Sequence, residues 1–421
     1  MLQVKRNRLK LSAREYNYLK HLSRGVKDLY NVAIYNNRQR FFKNEQYCNY
    51  YDNNQELKPH QAYCKIPAVL SQQTLMSVDE AFRSFFALLK QKKEDEHVGL
   101  PKYLDKDGFY VLQFPVRKGR MLEHFSIRLD KQSQLKYKMK FVKIKRPDCL
   151  KNKILKEVKI VPKCKAKYFE INWIYEEETN NVKVDNDKII AIDLGVNNFA
   201  TIVDNISGLP IILDGKKIKS CNRYFNKKTS NKKPNSMNKA RLFYKRSRIL
   251  DNDINQYVNF VLQYCIQNKI GSIVVGQGYM AQNGCNIGKK NNQNFVNIPF
   301  GKFINKLKNK CLLNGISFDL QEESYTSKCD HLAGEEMKHQ KHYLGKRIKR
   351  GLFQSSTGTL LNADVNGALG IMLKSKHDID INQLVSSGCL TQPRRIYLDD
   401  IQRYSSKRLV CKHTDQASRL A

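Results

Sequence analysis

Two aspartates stand in segments whose surroundings indicate how they are used. Ile189-Ile190-Ala191-Ile192-Asp193-Leu194-Gly195 reads as an apolar strand ending in a carboxylate and a glycine. Asn362-Ala363-Asp364-Val365-Asn366-Gly367 reads as the opening turn of a helix that starts on a carboxylate. Hard divalent cations prefer oxygen ligands, and two metals held by carboxylates can cleave a phosphodiester. Taken singly, Asp193 equally suits a strand-end turn, and Asp364 a helix first turn favoured by the macrodipole. The order of the surrounding elements joins the two.

Strand patterns fall at Lys188–Leu194, Phe199–Val203, Ile211–Leu213, Ser272–Val275 and Ile316–Glu323. Helical patterns fall at Asn238–Asn268 and Phe303–Leu313, with residues 214–238 read as a basic, asparagine-rich connection. Three strands, a helix, a strand, a helix, a strand and a last helix make the order of an RNase H-like α/β domain. In such a sheet the first strand is central and the last helix lies beside its carboxyl end, which would make Asp193 and Asp364 neighbours. Residues 324–362 are an insertion before that helix, and the chain after about 376 carries no strong signal, its Arg394, Arg395, Arg403, Lys407 and Arg408 suiting either RNA or a loose tail.

Towards the N-terminus, Leu75–Leu89 keeps apolar residues at helical spacing, with Lys90, Lys92 and Lys93 in its last turn. Residues 30–51 interleave Tyr30, Tyr35, Phe41, Phe42, Tyr47, Tyr50 and Tyr51 with Arg38, Arg40 and Lys43. That mixture suits base stacking against single strands, and equally a helical core with a solvated basic face. Between 124 and 177, four stretches alternate at period two: Phe125-Ile127-Leu129, Tyr137–Val142, Val158–Ile160 and Phe169–Tyr175. They suggest a small antiparallel barrel, an architecture used both for oligonucleotides and as a neutral scaffold. The polar run 176–181 marks a domain boundary.

Over 421 residues, Lys and Arg outnumber Asp and Glu by 75 to 39, giving +36. Such self-repulsion points to a polyanion partner and to binding that weakens steeply with salt. A lysine-rich compositional background is the rival source of the excess. Eleven irregularly spaced cysteines with no CxxC argue for reduced thiols rather than a disulfide framework. The start, MLQVKRNRLKLSAREY, lacks an apolar signal core, and no stretch is long enough to span a bilayer.

These residues also carry a family resemblance. IDLGVNNFAT at 192–201, ESYTSKC at 323–329, YLGKRIKRGLF at 343–353 and NADVNGA at 362–368 resemble TnpB, the OrfB-type protein of insertion sequences. TnpB proteins are RNA-guided DNA endonucleases related to the type V CRISPR effectors. The resemblance is strong over 185–375 and extends to the N-terminal half only in layout. It implies an N-terminal region, 1–180, built as a β-barrel wedge domain with a helical recognition insertion around 15–120. A RuvC (RNase H-like) nuclease domain follows over 181–376, with the insertion 324–362, and then a C-terminal tail, 377–421. It also implies a guide RNA, a target DNA and two Mg²⁺ ions. The expected working form is a monomer in a prokaryotic cytoplasm, associated with the nucleoid and linked to transposition.

Two departures from the family pattern matter. The usual glutamate ending the fourth strand is Gly276 here, and glycine binds no metal. Glu322 and Glu323 end the fifth strand, as in relatives whose glutamate has moved. Successive strand residues face opposite ways, so one of the two should face the metals. Glu323, three before Thr326, is the choice by that resemblance, with Glu322 in reserve. The catalytic and metal-binding set is therefore Asp193, Glu323 and Asp364. Loss of the usual glutamate also motivates the alternative, a nuclease-inactive RNA-guided repressor. A DNA-joining transposase would need a tyrosine with a histidine pair, for which no arrangement is found.

The second departure lies in the insertion, where many relatives bind zinc through two CxxC pairs. Here Cys329 remains, followed by Asp330, His331, His339 and His342, in a spacing that matches no common zinc pattern. Solvated loop histidines and no structural zinc are expected. Lys346, Arg347, Lys349 and Arg350 form a basic strip suited to DNA or to solvent. Asn197 and Asn198 should shape the turn after the first strand, and Asn366 should orient a ligand or phosphate.

Overall fold

A computed structural model describes residues 1–91, 97–116, 123–180, 182–234, 236–278, 298–377, 379–386 and 388–401. Lys92, Lys93, Cys285, Arg403, Lys407, Arg408 and Cys411 lie outside them. The chain divides into two compact units, Met1–Glu178 and Thr179–Ala421.

In the first unit, β1 (Leu2–Arg8) leads into the 30-residue helix α1 (Ala13–Phe42). Ser12 and Glu15 close a reciprocal capping box at its start. Helices α2 (Tyr50–Leu57), α3 (Gln61–Cys64) and α4 (Ala68–Gln91) follow. The aromatics of 30–51 divide between the two roles open to them. Tyr30 is buried, and Tyr47 donates to Asp79 Oδ1 at 2.6 Å, whereas Tyr35, Phe42 and Tyr51 are exposed.

Next come β2 (Leu112–Pro115), β3 (His124–Arg128), α5 (Lys131–Tyr137), β4 (Phe141–Lys145), β5 (Ile154–Lys163) and β6 (Tyr168–Glu176). They form an open antiparallel sheet, β1-β6-β5-β2, and a separate β3-β4 pair, in place of four strands in one barrel. The run expected as a strand from Tyr137 begins instead as the end of a helix. Asp130 caps that helix by accepting from Ser133 N at 2.9 Å.

The second unit is a six-stranded sheet in the order β11-β10-β7-β8-β9-β15. Its strands β7 (Asp185–Leu194), β8 (Asn198–Asp204) and β9 (Ile211–Asp214) are antiparallel neighbours. Helices α6 (Lys216–Ser230) and α7 (Met237–Gln267) lead to β10 (Ile270–Gly276), parallel to β7. Helix α8 (Phe300–Leu313) leads to β11 (Ser317–Gln321), parallel to β10. A small sheet, β12 (Lys346–Lys349), β13 (Leu352–Gln354) and β14 (Leu360–Asn362), precedes α9 (Ala363–Lys374). Helix α10 (Ile381–Ser386) and β15 (Arg394–Ile396) close the described chain, with β15 parallel to β9.

The central place of β7 and the run of elements from 188 to 374 match the sequence reading. Three features differ from it: 216–230 is a helix, β11 stops before the two glutamates, and the region after 376 supplies a sixth strand.

Period two along β7 decides the site. Ile190 and Ile192 pack into the core under α7 and α8, while Ile189 and Ala191 pack into the core that includes Val365, Ala368, Leu369 and Ile371 of α9. Asp193 continues the second series and emerges on the α9 side. On β10, Ile273 and Val275 share the first core and Val274 the second, so Gly276 also faces α9. Phe199 anchors the opposite face. It is fully buried and stacks on Tyr257 and Phe300, with ring centroids 5.2 and 5.6 Å away. Phe199→Ala should lower stability by about 3–5 kcal/mol, the usual cost of emptying a buried aromatic site. A urea-unfolding midpoint unchanged from wild type would refute that.

Candidate active site

Asp193 and Asp364 meet as the element order requires. A Cβ added to Gly367, three residues after Asp364 on α9, would lie 2.7 Å from Asp193 Oδ2. Only a glycine lets the helix approach that carboxylate so closely. A Cβ on Gly195 would lie 3.9 Å from Asp364 Oδ2, which places the second carboxylate over the turn after β7. Asp364 Oδ2 accepts from Asn198 Nδ2 at 2.6 Å. Asn198 therefore holds a carboxylate directly and does more than shape the turn.

Glu323 enters from the neighbouring strands. β10 and β7 pair Val275 with Ile192, so Gly276 and Asp193 come next along parallel strands. A Cβ on Gly276 would fall 1.8 Å from Glu323 Oε1, and one on Gly278 would fall 2.1 Å from Glu323 Oε2. The Glu323 carboxylate thus fills the space that a side chain on Gly276 would occupy. Glu322 points elsewhere: it is exposed and ion-paired with Lys374. Hydrogen bonds from Lys374 and Ser324 pull its carboxyl down to about 2. Both glutamates lie past the end of β11, so the fold of the following turn separates them where strand parity was expected to.

The electrostatics tie the acids together. Burial, then the carboxylates of Glu323 and Asp364, push the Asp193 carboxyl well above the ordinary carboxylate range. Arg347 acts in the opposite sense. Burial also raises Glu323, against a hydrogen bond from the Gly278 N–H. Like charge crowded in a partly buried position is relieved by protons or by a cation. An all-oxygen donor set of this kind suits a hard divalent ion. Among the described residues, no three His, Cys, Asp or Glu side chains are gathered closely enough to hold a metal as they stand. Gly278 N–H and Asn198 Nδ2 meanwhile occupy oxygens of Glu323 and Asp364.

The insertion is tied by hydrogen bonds that a zinc tetrahedron would have to displace. Buried Asp330 accepts from Ser355 Oγ and Ser356 Oγ at 2.9 Å each, and from Ser356 N at 2.7 Å. Cys329 Sγ contacts Glu336 O at 3.6 Å. The residues present do not fit a structural zinc. His339 and His342 are exposed, but His331 is buried, with Nε2 2.7 Å from Thr326 O, which corrects its reading as a solvated histidine. Asn366, expected to orient a ligand or phosphate, is buried and donates Nδ2 to Cys329 O at 2.9 Å, tying α9 to the insertion. Lys346, Arg347, Lys349 and Arg350 are all exposed along and just beyond β12. Sequence reasoning read Arg395 only as a basic tail residue and missed its contact with the site, where its Nη2 donates to Asn198 Oδ1 at 2.8 Å.

Residues 172–283 match the family profile OrfB_IS605, described as "Probable transposase", and residues 300–371 match the Cas12f1-like TNB domain. No curated protein matches the chain. Among solved structures, the cryo-EM structure of the Cas12f1–sgRNA–target DNA complex superposes with TM-score 0.57 at 15% identity, covering 86% of this chain and 83% of that one. A CRISPR–Cas12f ternary complex aligns at 17% identity over 86% and 82% of the two chains, with TM-score 0.32. The fold is thus a Cas12-like one. Within that class, the chain is similar to the OrfB-type, TnpB-like relatives of the type V effectors.

Proposed function

We propose that this chain is a transposon-encoded, RNA-guided DNA endonuclease of the RuvC type, with Asp193, Glu323 and Asp364 as its catalytic carboxylates. The observation that carries the reading is the Glu323 carboxylate lying in the space left by Gly276, beside Asp193. A chain that had merely lost its glutamate would leave that space empty or fill it with an apolar group. The intact pair Asp193 and Asp364 supports the same reading, as does likeness to a protein solved with guide RNA and target DNA.

Mg²⁺, two ions in the full proposal, would be held by these three carboxylates and would supply an activated water and charge neutralisation at the scissile phosphate. The protein's own residues do the rest. Asn198 holds Asp364 in one rotamer, and Gly367 and Gly276 clear the approach to Asp193 and Glu323. Arg347 offsets negative charge near Asp193, and with Lys346, Lys349 and Arg350 it offers a strip for the phosphates of the DNA strand. Base pairing with the guide reads sequence, while the protein holds backbone.

The test is direct. The protein is purified with RNA co-expressed from its own locus and offered plasmids carrying a guide match beside a randomised flank. Guide-dependent cutting with Mg²⁺ that stops on chelation is the expected result. Guide-dependent binding without cutting would instead establish the nuclease-inactive repressor, the reading that Gly276 by itself favours.

A further inference from the structure

Arg395 belongs to a segment without sequence signal, yet it ends a continuous hydrogen-bonded path to Asp364. Strand β15 runs parallel to β9, with Arg395 level with Ile212. From there the guanidinium donates Nη1 to Asp214 Oδ2 and Nη2 to Asn198 Oδ1, both at 2.8 Å. Asn198 in turn donates Nδ2 to Asp364 Oδ2 at 2.6 Å. Asn198 and Asp214 are 8% and 4% exposed, so water has little access to compete.

From this geometry we infer that Arg395 is a positioning residue for Asp364, acting through the Asn198 amide. A primary amide has one accepting and one donating end, and a guanidinium can only donate. With Arg395 on the oxygen, the amide nitrogen must face the carboxylate. The flipped amide would set NH₂ against the guanidinium and oxygen against the carboxylate, two repulsive contacts at once. Arg395 thereby fixes which end of Asn198 meets Asp364, and so the rotamer of the carboxylate. Its own charge is matched by Asp214, whose Oδ1 is held by Lys216 N at 2.9 Å. The contribution is therefore geometric, of the kind partners behind a metal ligand make. The inference rests on the nuclease reading of Asp364.

The test uses the full chain and its Arg395→Lys and Arg395→Ala variants. Lysine keeps the ion pair with Asp214, and with it the attachment of β15, but its single ammonium cannot serve both acceptors in the guanidinium's planar fork. Two quantities are measured: Mn²⁺ affinity by calorimetry on the protein alone, and single-turnover cutting with guide RNA. Both variants should bind Mn²⁺ about 10–100-fold more weakly. Saturating metal should restore part of the cutting rate, and the lysine variant should keep the wild-type unfolding midpoint. Arg395→Lys with wild-type metal affinity and rate, in a protein that cuts, overturns this inference and leaves the nuclease reading standing. A wild-type protein that neither binds Mn²⁺ nor cuts overturns both.

Discussion

Glu323→Ala should cut guide-matched DNA about a thousandfold more slowly than wild type, a barrier increase of about 4 kcal/mol. Asp193→Ala should be at least as severe, and Glu322→Ala should cut within a factor of about two of wild type, because an exposed ion pair contributes little. The contrast between adjacent glutamates follows from where each carboxylate lies. One is inside the space beside Gly276 and Gly278, and the other is at the surface with Lys374. Losing Glu323 would remove a charge that the crowded site has accommodated at an electrostatic cost, visible in the raised Asp193 carboxyl. A group held at such a cost in a cleft is a candidate functional group. Consistently, Glu323→Ala should unfold no earlier than wild type in metal-free buffer, since it relieves like-charge crowding. The proposal fails if Glu322→Ala is dead and Glu323→Ala is active in the same single-turnover measurement.

How much of this was legible in the sequence depended on the length and periodicity of each segment. Asp193 ends a four-residue apolar run, and its neighbours Ile189 to Ile192 supply both cores, so strand and facing could be read together. Asp364 stands two residues after Asn362, whose side chain accepts from Asp364 N at 2.9 Å, a local capping signal. The order of the two glutamates was a harder case. Parity applies only within a strand, and β11 stops at Gln321, so the choice of Glu323 rested on resemblance. Helix α6 reads as a connection because Lys216, Lys227 and Lys228 face solvent, and only Ile218, Asn222, Phe225 and Thr229 are buried. Arg395 was illegible for a different reason. A three-residue strand has too few residues to show alternation, and its contacts lie with Asn198 and Asp214, nearly two hundred positions away.

Gly276→Ala should abolish most cutting while leaving the protein folded. Its Cβ would fall 1.8 Å from Glu323 Oε1 and 2.7 Å from Ile371 Cδ1. Both atoms end flexible side chains, so the clash is relieved by Glu323 swinging out of the site. The stability cost should stay within the roughly 1–3 kcal/mol of ordinary overpacking. The loss of rate should approach that of Glu323→Ala, because both changes empty the same place of its carboxylate. In a Glu323→Ala background, Gly276→Ala should therefore add almost nothing, the non-additivity expected when two changes remove one interaction. The converse is the sharper test. Gly276 is one residue past Val275, which pairs with Ile192, and it faces α9. A glutamate placed there enters the space from the neighbouring strand. Gly276→Glu alone forces two carboxylates into that space and should be inactive. Combined with Glu323→Ala it should recover at least about tenfold in rate over Glu323→Ala, or about 1.4 kcal/mol. If the combined variant stays as slow as Glu323→Ala while binding guide and target normally, the two positions are not alternative sources of one carboxylate. The explanation of Gly276 would then fall.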